Sequence, residues 1–175
     1  MQMNDSREIE APRETVWAAI LNPDVLKECV PGCTELTGTP DEGFEATVVQ
    51  KVGPVKATFN GQVTVSDRVE PEKVTLSGEG KGGAAGFAKG DANVRLEEIE
   101  PGRTRLHYDV EAKVGGKLAQ LGSRVIDGFA KKMADQFFTR LQEAIEGPAE
   151  ESEAPEAEET PGDKKKGWFK RMTGA

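Results

Sequence analysis

Six consecutive stretches in which apolar and polar residues alternate, each closed by a turn signal, leave this chain little choice but an antiparallel sheet. They run over about 34–39, 44–52, 55–68, 73–82, 86–99 and 104–114, divided by signals such as Pro40-Asp41-Glu42-Gly43, Gly53-Pro54, Glu70-Pro71-Glu72 and Glu100-Pro101-Gly102. Connections this short join neighbours as hairpins, so the strands form one meander. Ahead of them stand a short strand at Arg7-Glu8-Ile9, a helix from Arg13 to Leu21 opened by Pro12 and ended by Asn22-Pro23, and a second helix from Asp24 to about Glu28. After Gly115-Gly116 the period changes. Leu118, Leu121, Val125, Phe129, Met133, Phe137, Leu141 and Ile145 recur about every four residues, the stripe of a long helix that must face the sheet. This order of elements is that of the α+β helix-grip fold, a curved antiparallel sheet wrapped around a long C-terminal helix.

The strand alternation also says what fills the space under that helix. In the strand from Val55, the inward set is Val55, Ala57, Phe59, Gly61, Val63 and Val65. The next strand turns Val74 and Leu76 inward, then Gly78, Gly80 and Gly82; the one after it gives Ala84, Gly86, Ala88, Gly90 and Ala92 before Val94 and Leu96. Two neighbouring strands therefore lose their inward side chains over the same end of the sheet. The helix then approaches closely, or the glycines mark bulges, or a cavity remains. The density of the run favours the cavity, because glycine in strands costs stability that packing alone seldom demands. Its expected walls are Phe59, Leu76, Gly78, Gly80, Gly82, Ala88, Gly90, Tyr108, Val110, Ala112 and Val114 from the sheet, with Leu121, Val125, Phe129 and Met133 from the helix. Such a lining suits a greasy, neutral ligand with one or two polar atoms. Phe87 falls on the outward parity beside the glycine-rich tip and is expected as a rim or docking contact.

Catalytic chemistry finds little to stand on. Cys29 and Cys33, the only cysteines, frame Val30-Pro31-Gly32 at a spacing foreign to redox and zinc motifs, and read as two small apolar residues near a turn. The one histidine, His107, shares the solvent parity of Arg105, Asp109 and Glu111. No catalytic residue and no metal ligand is assigned, and the protein is read as not an enzyme. A net charge of −8 argues against a nucleic-acid partner. The first residues carry no secretory pattern and no apolar run nears the ~20 residues of a spanning helix, which points to the cytoplasm.

The domain is expected to span 1–147. Residues 148–163 carry Glu150, Glu151, Glu153, Glu156, Glu158, Glu159 and Asp163 with Pro155 and Pro161, the composition of a disordered acidic linker. In 164–175, Lys164, Lys165, Lys166, Lys170 and Arg171 surround Trp168 and Phe169. Cations near an anionic surface contribute about 1 kcal/mol each and such aromatics prefer the interface, so the tip reads as a reversible membrane anchor. A short motif for a protein groove has the same composition.

Ile9-Glu10-Ala11-Pro12 with Val16-Trp17, the Cys29-Val30-Pro31-Gly32-Cys33 turn, Val52-Gly53-Pro54-Val55-Lys56-Ala57 and Gly78-Glu79-Gly80-Lys81-Gly82-Gly83 resemble the carbon monoxide dehydrogenase G-subunit family, over about residues 1–147. That family lies within the START-like, polyketide cyclase-like helix-grip superfamily. The resemblance implies an accessory protein for a molybdenum-containing carbon monoxide dehydrogenase or related hydroxylase, peripheral to the inner face of the cell membrane and associated with quinones. It supplies no catalytic set. Together with the cavity, this gives an expected carrier of a respiratory quinone, menaquinone or ubiquinone, held non-covalently. A membrane adaptor without ligand transport and a START-like enzyme acting on a hydrophobic substrate are the alternatives.

Overall fold

The alternating stretches become one seven-stranded antiparallel sheet in the computed structural model, which describes residues 1–147. In chain order the elements are β1 (Gln2–Ile9), α1 (Arg13–Ile20), α2 (Pro23–Cys29), β2 (Cys33–Thr39), β3 (Gly43–Val52), β4 (Val55–Val69), β5 (Lys73–Lys81), β6 (Phe87–Glu100), β7 (Arg103–Gly115) and α3 (Ser123–Glu146). The strands lie in the order β1-β7-β6-β5-β4-β3-β2, a meander from β2 to β7 with β1 added beside β7. Met1–Leu141 forms one compact unit; Gln142 opens a second, of which the end of α3 and Gly147 are described.

Three local differences from the sequence expectation have physical causes. β1 starts at Gln2 rather than Arg7, because pairing with β7 from Gln2 opposite Glu111 to Ile9 opposite Thr104 carries polar residues into an edge strand. Pro23 opens α2 instead of merely ending α1. Asn22 Oδ1 accepts the Asp24 and Val25 amides at 2.9 and 3.4 Å, and proline suits the first helical position, where no amide is needed. Leu118 and Leu121 belong to a 3₁₀ turn, Gly116–Leu121, and α3 begins only after Gly122, whose φ of 90° breaks the helical path.

Where side chains are large, the interior is filled. α1 packs on β6 and β7, and Ile9, Val16, Leu96, Leu106 and Leu141 are almost wholly excluded from solvent. The buried Thr104 Oγ1 donates to the Ala11 carbonyl at 2.8 Å, tying β7 to the chain leaving β1. α3 is fastened to the sheet by Arg7, whose guanidinium reaches Asp135 at 2.6 Å and lies 5.7 Å from the Phe138 ring centre. Phe138 in turn stacks on Tyr108 of β7, with ring centres 4.6 Å apart. This clamp holds the middle of the helix and leaves open the space toward the glycine-bearing strands.

Candidate ligand-binding site

That space is an apolar cavity of about 500 Å³ between the inner face of the sheet and α3. It forms where the strands carry too little volume to reach the helix. Gly80 stands opposite Ala88, and Ala92 opposite Leu76, so adjacent strands are thin at matching depths. Of the walls expected from the sequence, Phe59, Leu76, Gly80, Ala88, Tyr108, Val110, Phe129 and Met133 surround the cavity, as do Ala112 and Val114.

Five expected wall residues do not line it. Gly82 lies under the Phe59 ring, whose Cε1 would stand 2.5 Å from a Cβ placed there. Gly78 faces the Val63 side chain across the β4–β5 pair. Gly90 serves a close approach of β6 to β7, since a Cβ would fall 2.4 Å from the Glu111 carbonyl oxygen. Leu121 and Val125 pack beside Gly53 of the β3–β4 turn, and Val125 is 40% exposed. Ala84 and Gly86, read as inward strand positions, belong to the connection before β6, where Ala85 is the buried residue.

The helix explains the error at Val125. A strict four-residue step drifts by about 40° at each repeat of a 3.6-residue helix, so Val125 and Leu141 cannot share a face. The face that meets the cavity is Ile126, Phe129, Ala130, Met133, Ala134 and Phe137. Ala130 and Ala134 thin the helix side as Gly80 and Ala88 thin the sheet. Sequence reasoning also missed Met1 and Met3 of the β1 edge, the wall of Leu26, Val30 and Pro31 from α2 and its turn, and Val48, Gln50 and Val52 of β3. The last three were legible, because period two from the buried Phe44 turns them inward.

Two polar side chains reach the lining. Gln50 is engaged, its Nε2 donating to the Pro31 carbonyl at 2.5 Å. Tyr108, the only tyrosine of the chain, has no hydrogen-bond partner for its hydroxyl among the described residues. Burial pushes the phenol pKa up, Asp5 and Asp135 add to this, and Arg7 opposes it. The neutral phenol is thus the form the fold favours, and its contribution to stability is lost as pH rises through the folded-state value. Phenolate absorbance of the native protein is expected to titrate above the ordinary tyrosine value of about 10 and to return there in urea. A native midpoint at or below the ordinary value would place Tyr108 in water.

The remaining chemistry-bearing groups lie elsewhere. His107 Nε2 sits 2.9 Å from Glu97 Oε1 on the outer face, and this bond holds the Glu97 carboxyl below its usual range. Burial raises the thiol pKa of both Cys29 and Cys33, which keeps them protonated and poorly nucleophilic near neutral pH. Among the described residues no cluster of three or more His, Cys, Asp or Glu could hold a metal ion. A larger depression, about 940 Å³, crosses the outer face between Asn4, Asp67, Thr75, Arg95 and Asp109, and its wall is polar and open to solvent. Phe87 projects outward, 42% exposed, with its ring over Gly115. Lys164, Lys165, Lys166, Trp168, Phe169, Lys170 and Arg171 lie outside the described residues. No described helix is long and apolar enough to cross a membrane.

A curved antiparallel sheet closed over an apolar cavity by one C-terminal helix makes this a START-like helix-grip protein. A START superfamily protein from Mycobacterium smegmatis has the same fold, with a TM-score of 0.64 at 14% identity, over 83% of this chain and 97% of that one. A conserved protein from Geobacillus kaustophilus is more similar, with a TM-score of 0.78 at 30% identity over 83% of this chain and 95% of its own. A protein from Chromobacterium violaceum aligns with a TM-score of 0.62 at 16% identity over 85% and 99% of the two chains. Among curated proteins none is significantly similar. The family model for the carbon monoxide dehydrogenase G-subunit (CoxG) matches residues 6–146, and the chain belongs to that family.

Proposed function

We propose that the protein is a non-catalytic accessory carrier that takes a respiratory quinone, menaquinone or ubiquinone, between the membrane and a molybdenum-containing carbon monoxide dehydrogenase or related hydroxylase. The observation that carries this reading is the cavity of about 500 Å³, within the size range of ligand sites, whose wall is apolar apart from one phenol and one engaged amide. A quinone ring with an isoprenoid chain matches that chemistry: the chain needs apolar wall, and the ring carbonyls accept hydrogen bonds such as the Tyr108 hydroxyl donates. Family membership supports the choice of enzyme partner. The basic aromatic tip at 164–175 would supply the membrane contact, with its charges screened by salt.

Organic extraction of the protein purified without detergent, followed by mass spectrometry, tests the reading directly. A quinone recovered near one per chain is expected, and Tyr108→Phe should lower that yield while leaving the fold intact. Recovery of no apolar molecule, together with no uptake of added quinone, would leave a membrane adaptor as the better account.

A further inference from the structure

One end of the folded body has a charge pattern that neither the cavity nor the C-terminal tip explains. Residues 49–58, 80–90 and 112–126 contain no Asp or Glu, yet carry Lys51, Lys56, Lys81, Lys89, Lys113, Lys117 and Arg124, in a chain of net charge −8. The fold brings these segments together. A Cβ on Gly53, in the β3–β4 turn, would stand 3.7 Å from Val125 and 3.9 Å from Leu121, and one on Gly116 would stand 2.6 Å from Gly86 Cα. All seven cations are exposed, and none is in an ion pair among the described residues.

Two pairs among them work against the sheet. Lys51 stands directly opposite Lys56, and Lys89 opposite Lys113, and like charges facing across strands destabilise a ladder. Glu79, Lys89's neighbour on the other side, forms no ion pair with it. The same end exposes Phe87 and Val125 at 42% and 40%. At the opposite end the turns are acidic, with Asp41, Glu42, Glu70, Glu72, Glu98 and Glu100. The folded unit is therefore polarised along its strands. Its basic end is also where Val52, Leu118 and Ile126 close the cavity, with Phe59 packed against them.

We infer that this end of the folded body docks on an anionic lipid bilayer, seating the lysines among the headgroups and Phe87 and Val125 at the acyl boundary. An acidic protein surface would satisfy the charges, but the exposed Phe87 and Val125 beside lysines that can snorkel match a lipid interface. Docking so presents the Val52–Leu118–Ile126 closure to the phase where an apolar ligand resides. The purpose of the contact rests on the carrier reading; its existence does not.

Hydrogen exchange of the full-length protein with vesicles localises the contact. Phosphatidylcholine vesicles containing phosphatidylglycerol should protect 80–90 and 112–126, pure phosphatidylcholine should not, and salt should remove the effect. Each lysine near an anionic surface raises partitioning about fivefold, so Lys81→Gln, Lys89→Gln and Lys113→Gln combined should lower it about a hundredfold. An unchanged urea midpoint and unchanged uptake of a quinone analogue in vesicle-free solution would show that the triple variant is folded and its cavity intact. Trp168→Ala with Phe169→Ala should weaken total binding without erasing the protected segments. Protection confined to residues beyond 147, or protection of these segments by the partner enzyme and not by vesicles, would overturn the inference. A parent that takes up no quinone yet shows the protected segments would remove the carrier reading and leave the docking surface standing.

Discussion

Replacing Gly86 with alanine is expected to destabilise the protein by about 3 kcal/mol or more, a drop of roughly 10 °C in melting temperature. Gly86 has φ 109° and ψ −152°, a region that residues with a Cβ scarcely enter. An added Cβ would fall 2.0 Å from the Gly115 carbonyl oxygen, so backbone and not a yielding side chain opposes it. Its own groups are also committed, the amide to the Gly83 carbonyl at 3.1 Å and the carbonyl to the Gly82 amide at 2.8 Å. Thermal and urea unfolding followed by circular dichroism measure the loss. A change below about 0.5 kcal/mol would mean that the connection between β5 and β6 shifts freely, and that its glycine pattern is unrelated to its conformation.

The opposite behaviour is expected six residues earlier. Gly80→Leu should reduce affinity for a quinone analogue at least tenfold while leaving stability within about 1 kcal/mol of the parent. The nearest heavy atom to a Cβ at this position is Phe59 Cβ at 3.9 Å, an ordinary contact, and the rest of the side chain would enter the cavity. Filling a void and removing a strand glycine both favour the folded state, which offsets any strain against Phe59. Titration of the analogue by fluorescence, alongside urea unfolding of the same samples, separates the two effects. Large destabilisation with unchanged affinity would show that Gly80 is packed against the helix and that the ligand, if any, sits elsewhere.

These two glycines lie in one glycine-rich run, residues 78–90, and look alike in the sequence, which shows where sequence reading stops. The alternation correctly assigned β4 through β7 to a face, because a strand has period two and one slip reverses every side chain. The same rule brought Gly80 and Ala88 to the cavity wall together. It failed at Ala84 and Gly86, where the strand had given way to a turn and parity no longer applied, whereas Gly82 does face inward but is covered by the Phe59 ring. The four-residue stripe failed at Val125 for a different reason. Spacing identifies a helix, but a strict step of four drifts by about 40° at each repeat, so the first and last members of the stripe leave the face centred on Phe129, Met133 and Phe137. Leu26, Val30 and Pro31 were invisible as wall residues because nothing in a short helix says which side of a distant sheet it will cover.

The sequence by itself determined the element order, the antiparallel meander, the faces of the strands and the shortage of volume beneath the helix, all of which depend on residues close in the chain. It also carried the family, through motifs spread along residues 6–146. Only the tertiary structure decided that the missing volume remains as a cavity, since that depends on how far α3 is held off the sheet by Phe138, Tyr108 and the Arg7–Asp135 pair. It likewise decided that seven scattered cations gather at one end of the Met1–Leu141 unit. Charges distant in sequence become a surface only when turns from different hairpins are brought side by side.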